Sequence, residues 1–534
     1  MRTTTRLDRP ARQRGIALLV LLGLFSVAVI YAVLSGLNQS TGAMAMARAH
    51  KTSAALAQAK EALIAYAVTY SDDASHAIPI PGYLPCPELV ATASNEGVAS
   101  GSCGFALVSQ IGRLPWRTLG LDALRDGSGE CLWYAVSGTY KNSPNGVSGS
   151  TTNSTMMNWD TNGQFIVMDT NGTSYLTGST SDTDAVAVIF APGSALTPAG
   201  AATPQDRAPV TGTTNCGGNY TASAYLENTN GIDNSVVSAT AGAASTFIAG
   251  TSSDTFNDQL VYITRADIWN AIKKRSDFNN NLRALTRHAA ECIAMYGANN
   301  RNAFNVIDLT DQRLPWASNM SLSATSVPTY AVNAQYNHIS SDMSGRISFR
   351  VETSRSATNN ALISNSDYGT SSRYIFTLLS YCGYSTDQKI WYENWKDQLF
   401  YAIANSYRPL AGKPTSCGTC LTINGGGSYA AVVIFAGDKL TNAAGQVTQP
   451  RSLATDKGSI ANYLEGRNSS NHPNSGGNSN YQAAATSSTF NDIVYAIDAS
   501  NLAVKCSNVS GTMVSVPVAA VAPPGSLAAY AACP

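Results

Sequence analysis

An α+β fold is predicted for this chain: a long N-terminal membrane-spanning helix, followed by two duplicated heads in which a helix lies on an antiparallel sheet, with long polar loops between the elements. Three observations predict it. Residues 16–37 read IALLVLLGLFSVAVIYAVLSGL without a charge, the LAQAKEALIAYAVTY that follows has helical spacing, and six short blocks recur along the chain in one order. At 534 residues the chain exceeds what a single core usually supports, so two units are expected.

The uncharged run would span about 33 Å at ~1.5 Å per residue, enough for the hydrocarbon of a bilayer. Arg2, Arg6, Arg9, Arg12 and Arg14 precede it against a single Asp8, which places the N-terminus in the cytoplasm and the head in the periplasm of a single-pass inner-membrane protein. A removable secretory signal is the competing reading, with small-residue cleavage sites at Ala43-Met44-Ala45 and Ala45-Met46-Ala47. The run is longer than such signals use, and no proline intervenes before Tyr70. Leu56, Ala59, Leu63, Ala67 and Tyr70 stand on one helical face, so one spine helix is expected over 16–70.

The blocks predict a duplication. Glu61–Tyr66 answers Glu291–Tyr296, and Arg113-Leu-Pro-Trp116 recurs as Arg313-Leu-Pro-Trp316. Leu132–Val136 parallels Leu399–Ile403, Val188–Ala191 parallels Val433–Ala436, Tyr225–Glu227 parallels Tyr463–Glu465, and Thr255–Asp258 parallels Thr489–Asp492. The resulting division is a leader at 1–15, the spine at 16–70, a first head at 56–275, a second at 281–505 and a tail at 506–534, with KKRSDFNNN as the joint. DAVAVIFAPG and YAAVVIFAG read as buried strands, with Gln164–Met168 and Cys420–Ile423 as their antiparallel partners. Segments 141–184, 317–372 and 466–488, rich in Ser, Thr, Asn and Gly, read as surface loops.

Lys plus Arg and Asp plus Glu both number 34, so there is no basic excess for a phosphate backbone and nucleic acid is not expected as a partner. Charged residues make up 13%, against roughly 25% in ordinary soluble domains, which suits loop-rich β structure of a secreted type. Ten cysteines fit the same setting as disulfides. Cys86 with Cys103 and Cys506 with Cys533 are expected as neighbours along the chain, and Cys417 with Cys420 as a structural disulfide, because this C-x-x-C precedes a strand instead of opening a helix.

Arg12-Gln13-Arg14-Gly15 immediately before Ile16 and its apolar run resembles the precursors of type IV pilins and type II secretion pseudopilins. The resemblance implies cleavage between Gly15 and Ile16 by a prepilin peptidase, methylation of the new amino group, and packing of the N-terminal helix against other pilin or pseudopilin subunits. Pilins usually carry Glu at the fifth mature position, and here that position is Val20. By the same resemblance this implies a minor subunit at a filament tip. PCPE, GRLPWRTLGL, RDGSGECLWYAVSG, YLE and FNDQLVYITRADI are also similar to blocks of large prepilin-like proteins of Gram-negative bacteria.

No enzyme chemistry is read from the sequence: it has no G-x-S-x-G, no H-E-x-x-H and no Walker loop. His50, His76, His288, His338 and His472 form no metal-spaced pair, and no cofactor is expected. Asp126–Glu130, Asp160–Gly163 and Asp169–Gly172 gather oxygen ligands of the calcium type, but each is shorter than a full loop and reads as a polar turn. Trp116, Trp133, Trp316 and Phe400 are expected in the core, and Asn257, Asp258, Asn491 and Asp492 at turns or caps. The expected function is that of a minor pilin or pseudopilin in a type IV pilus or type II secretion pseudopilus, with a filament- or membrane-anchored adhesin for carbohydrate or protein as the alternative.

Overall fold

The computed structural model describes residues 43–533, apart from 77, 91–94, 145–156, 199–201, 299–313, 319–342, 349, 353–374, 378–381, 409–416, 444–445, 473, 475–476, 509 and 517–532. Its first element is a helix over 43–69. Residues 43–51 are all exposed, and the buried face then runs Thr52, Ala55, Leu56, Ala59, Leu63, Ala67 and Tyr70. That spacing is the one-sided stripe its sequence encodes, and it packs on the first sheet.

That sheet has seven strands. Gln110–Arg113, Trp133–Val136, Ala185–Ala191 and Gln259–Thr264 are neighbours in antiparallel order, while Phe165–Met168 joins at one end and pairs in parallel with Ser245–Ile248. After the capped helix Arg265–Ile272 a second long helix, Ser276–Ala298, covers an eight-stranded sheet. Here Ser344–Arg346, Leu399–Ile403, Gly426–Phe435 and Ile493–Asp498 take the same order, and Leu421–Ile423 pairs in parallel with Asn480–Tyr481. Two further antiparallel strands, Val504–Ser507 and Met513–Ser515, extend the second sheet.

Backbone register shows which residues are equivalent in the two halves, and it departs from the letter matches at two places. Tyr134 Oη donates to Pro85 O at 3.2 Å, and Tyr401 Oη donates to Pro315 O at 3.0 Å. Leu84 N donates to Tyr140 O and Leu314 N to Tyr407 O, both at 2.8 Å. The counterpart of Leu314-Pro315-Trp316 is therefore Leu84-Pro85-Cys86, and the counterpart of Arg113 is Arg346. A Cβ on Gly112 would stand 2.6 Å from Glu88 O, and one on Gly345 would stand 1.9 Å from Ser318 O, so the two glycines before these arginines allow the same close backbone approach.

The second departure is a one-residue slip in the central strand. Trp133 faces Phe190, but Phe400 faces Ile434, so Phe435 occupies the place held by Ala191 in the first half. The glycines confirm this register: Arg207 Nη1 donates to Gly193 O at 2.8 Å and Arg451 Nη1 to Gly437 O at 3.0 Å. Because strand side chains alternate, the slip moves a phenylalanine to the opposite face, where it meets Trp159.

The expected antiparallel pairings are present, Phe165–Met168 with Ala185–Ala191 through Phe165 and Ala185, and Leu421–Ile423 with Gly426–Phe435, but the turn at 169–174 leads into the short strand Tyr175–Thr177 before the 185–191 strand is reached. Other expectations need correction. The stretch 141–184 holds these two strands and a buried loop, so it is not a surface loop throughout. The second half's helix begins at Ser276, within the stretch read as the joint. Trp133, Trp316 and Phe400 are buried, while Trp116 is half-buried.

The membrane-spanning helix and the single-pass inner-membrane placement are overturned as parts of the fold: among the described residues no helix is long and apolar enough to cross a membrane. The helix over 43–69 carries Arg48, Lys51, Lys60 and Glu61 and uses its apolar face on the sheet. Residues 1–15 with Gly15, the run beginning at Ile16, and Val20 lie outside the described residues.

Candidate functional site

The two halves meet through a loop whose composition disguised it. Met157, Asn158, Trp159 and Asp160 are all buried, although they lie in a Ser/Thr/Asn-rich stretch. Met157 N donates to Asn394 Oδ1 and Asn158 Nδ2 donates to Asn394 O, each at 2.7 Å, which fixes the loop on the second half. Trp159 then packs edge-on to Trp395 at 4.5 Å between ring centres and to Phe435 at 5.7 Å. Trp269 and Phe278 complete this aromatic junction.

Asp160 follows at the bottom of the joint. Gln398 Nε2 donates to its Oδ2 at 2.6 Å, Arg451 Nη1 lies 3.5 Å from the same oxygen, and Lys439 Nζ lies 3.9 Å from Oδ1. Lys439 also donates to Asp182 of the first half. Burial pushes the Asp160 carboxyl up, but Arg451, Lys439 and Gln398 outweigh it and hold it below the usual carboxylate range. Lys273 with Asp438, and Arg275 with Asp72 at 2.7 Å, tie the rim. A cleft of about 420 Å³ opens beside this joint, lined by residues of both halves that include Tyr262, Arg265, Trp269, Asn270, Asp438 and Lys439.

A second polar arrangement occurs twice. Asp258 Oδ2 accepts from Glu227 N at 2.9 Å and Asn234 Nδ2 at 3.0 Å. Asp492 Oδ2 accepts from Glu465 N at 3.2 Å and Asn468 Nδ2 at 2.9 Å. Gln205 and Gln449 donate to the two glutamates, while Arg207 and Arg451 lie 4.7 and 4.4 Å from the ring centres of Tyr225 and Tyr463. Burial, and then the neighbouring glutamate, push the Asp258 and Asp492 carboxyls well above the usual carboxylate range. Each pair locks the loop entering an equivalent strand of its half, Gln259–Thr264 or Ile493–Asp498, a structural task that explains its presence in both. Asn257 and Asn491 are likewise anchors, donating to the carbonyls of Ser194 and Asp438.

The cysteines stand in five close pairs. Cys86 lies beside Cys103, Cys417 beside Cys420 and Cys506 beside Cys533, with Cα separations of 5.8, 5.4 and 6.0 Å. Cys131 with Cys216 and Cys292 with Cys382 are two long-range pairs for which the spacing held no signal. The oxygen-rich turns are internally engaged: Asp126 Oδ1 accepts from Ser128 N and Glu130 N, and Asp169 Oδ1 from Asn171 N, Thr173 N and Ser174 N. Among the described residues no three His, Cys, Asp or Glu side chains are grouped to hold a metal ion. No known family, curated protein or solved structure matches the chain.

His472 gives this core a pH dependence. It lies between the rings of Phe400 and Tyr481, and burial pushes its imidazole down to about 4. A folded-state value below the unfolded one contributes stability above pH 6.5, which is lost as pH falls through 6.5 towards 4. His472→Phe is expected to flatten that acid limb by about 3 kcal/mol; urea denaturation at pH 7.5 and 4.5 measures it, and parallel loss in both proteins would contradict it.

Proposed function

We propose that this chain is an assembly subunit of a pilin- or pseudopilin-type filament, structural in its action. The observation that carries the reading is the helix over 43–69: its first nine residues are exposed all round, and the rest lies one-sided on an antiparallel sheet. A head that carries such a projecting helix is the plan on which pilin-like subunits pack. The duplicated fold doubles the lateral surface, and the joint at Trp159 and Asp160 holds the two halves as one block. Five cysteine pairs suit an oxidising compartment.

The adhesin reading draws on the cleft between the halves, where Tyr262 and Trp269 stand beside Asn270 and Asp438 as they would for a polar ligand with an apolar face. Deletion of the gene separates the two. An assembly subunit is expected to leave cells without filaments or with failed secretion. Normal filaments with lost surface binding would sink the assembly reading and support the adhesin.

A further inference from the structure

The two sheets differ at one edge. In the second half Ile493–Asp498 is covered by Val504–Ser507, with Ala496 facing Lys505, and then by Met513–Ser515. Among the described residues the equivalent strand of the first half, Gln259–Thr264, pairs with Ala185–Ala191 alone. Its burial reflects the difference: only Ile263 is buried in this strand, against Val494, Tyr495, Ala496 and Ile497 in its counterpart.

The direction of the free groups follows from register. Val186 O accepts from Ser137 N, so Val186, Val188 and Phe190 turn their backbone groups towards Trp133–Val136. Leu260 faces Phe190 and Tyr262 faces Val188, so these two residues turn their N–H and C=O groups outward. Among the described residues only a side chain meets them there: Lys60 Nζ donates to Tyr262 O at 3.0 Å while pairing with Asp267 at 3.1 Å. A lysine laid over an unpaired strand is a common guard against edge-to-edge pairing, and it is displaceable.

The chain carries a complementary edge. Val516 N donates to Val504 O and Asn508 N to Thr512 O, so the groups of Met513 and Ser515 point away from the second sheet. Two outward residues thus stand on each edge, and among the described residues the first edge lacks the antiparallel strand that this same chain lays on its equivalent. We infer that the edge Gln259–Thr264 of one copy accepts the edge Met513–Ser515 of a second copy as an added antiparallel strand. The contact is heterologous and continues the eight-stranded sheet of one molecule into the seven-stranded sheet of the next. It repeats head to tail and does not use the N-terminal helix.

Proline tests this without breaking either sheet, since at Leu260 or Ser515 it removes only an outward N–H. Full-length chain, Leu260→Pro, Ser515→Pro and their equimolar mixture are compared by sedimentation velocity. Each variant alone is expected to dimerise roughly tenfold or more weakly than the unaltered chain. The mixture is expected to stop at a 1:1 pair, because one variant keeps an intact acceptor edge and the other an intact donor edge. Lys60→Ala, which frees the Tyr262 carbonyl, is expected to strengthen association. Association untouched by both prolines, as an apolar N-terminal contact would give, overturns the inference, as does an unaltered chain that stays monomeric alongside a monomeric Lys60→Ala.

Discussion

Replacing Asp160 with alanine is expected to cost about 3 to 5 kcal/mol, the usual penalty for removing one partner of a buried ion pair. Asp160, Lys439 and Arg451 are all less than a tenth exposed, so water cannot take over the lost contacts. Arg451 would retain its hydrogen bonds to Gly437 O and Gln398, and Lys439 its bond to Asp182, but the carboxylate that brings both cations together would be gone. The loss should fall on the joint, so that each half separates from its neighbour before its own sheet melts. Differential scanning calorimetry reads this as one transition becoming two. A variant within about 1 kcal/mol of the unaltered protein, still melting once, would contradict it.

The long cysteine pairs carry the other large effect. Cys131–Cys216 and Cys292–Cys382 close loops of 85 and 90 residues. Chain-entropy reasoning assigns roughly 4 to 5 kcal/mol to a loop of that length, against about 1 to 2 for the three-residue Cys417–Cys420 loop. The double change Cys292→Ser and Cys382→Ser should therefore lower stability in urea by at least twice as much as Cys417→Ser with Cys420→Ser. Equal losses would mean that native-state packing at these cysteines, and not loop closure, sets the effect.

Much of the α+β character was legible because it depends on local pattern. The stripe Leu56, Ala59, Leu63, Ala67 and the apolar runs at 185–191 and 430–436 are periodic signals that survive without tertiary context. What misled was identity of letters where backbone register decides. Arg-Leu-Pro-Trp occurs twice, yet the recurring feature is a carbonyl at Pro85 and Pro315 that receives a tyrosine hydroxyl, and no four-letter match encodes that. The one-residue slip at Phe190 and Phe435 was invisible for the same reason. The joint was hidden differently: Asp160-Thr-Asn162-Gly163 has the composition of a turn, and its burial depends on Gln398, Lys439 and Arg451, more than two hundred residues away.

The duplicated carboxyl pairs show how repetition separates structure from chemistry. Glu227 with Asp258 has the look of an acid–base dyad when viewed alone. Its recurrence at Glu465 with Asp492, on the same backbone donors, assigns both to loop locking.

The amino end of the protein isolated from its native cells tests the assembly reading most directly. A pilin-type subunit should begin at Ile16 with a methylated amino group, and should keep Met1 in cells that lack prepilin peptidase. A chain that begins near Ala47, or that is indifferent to the peptidase, would contradict a filament role for the helix that projects from this head.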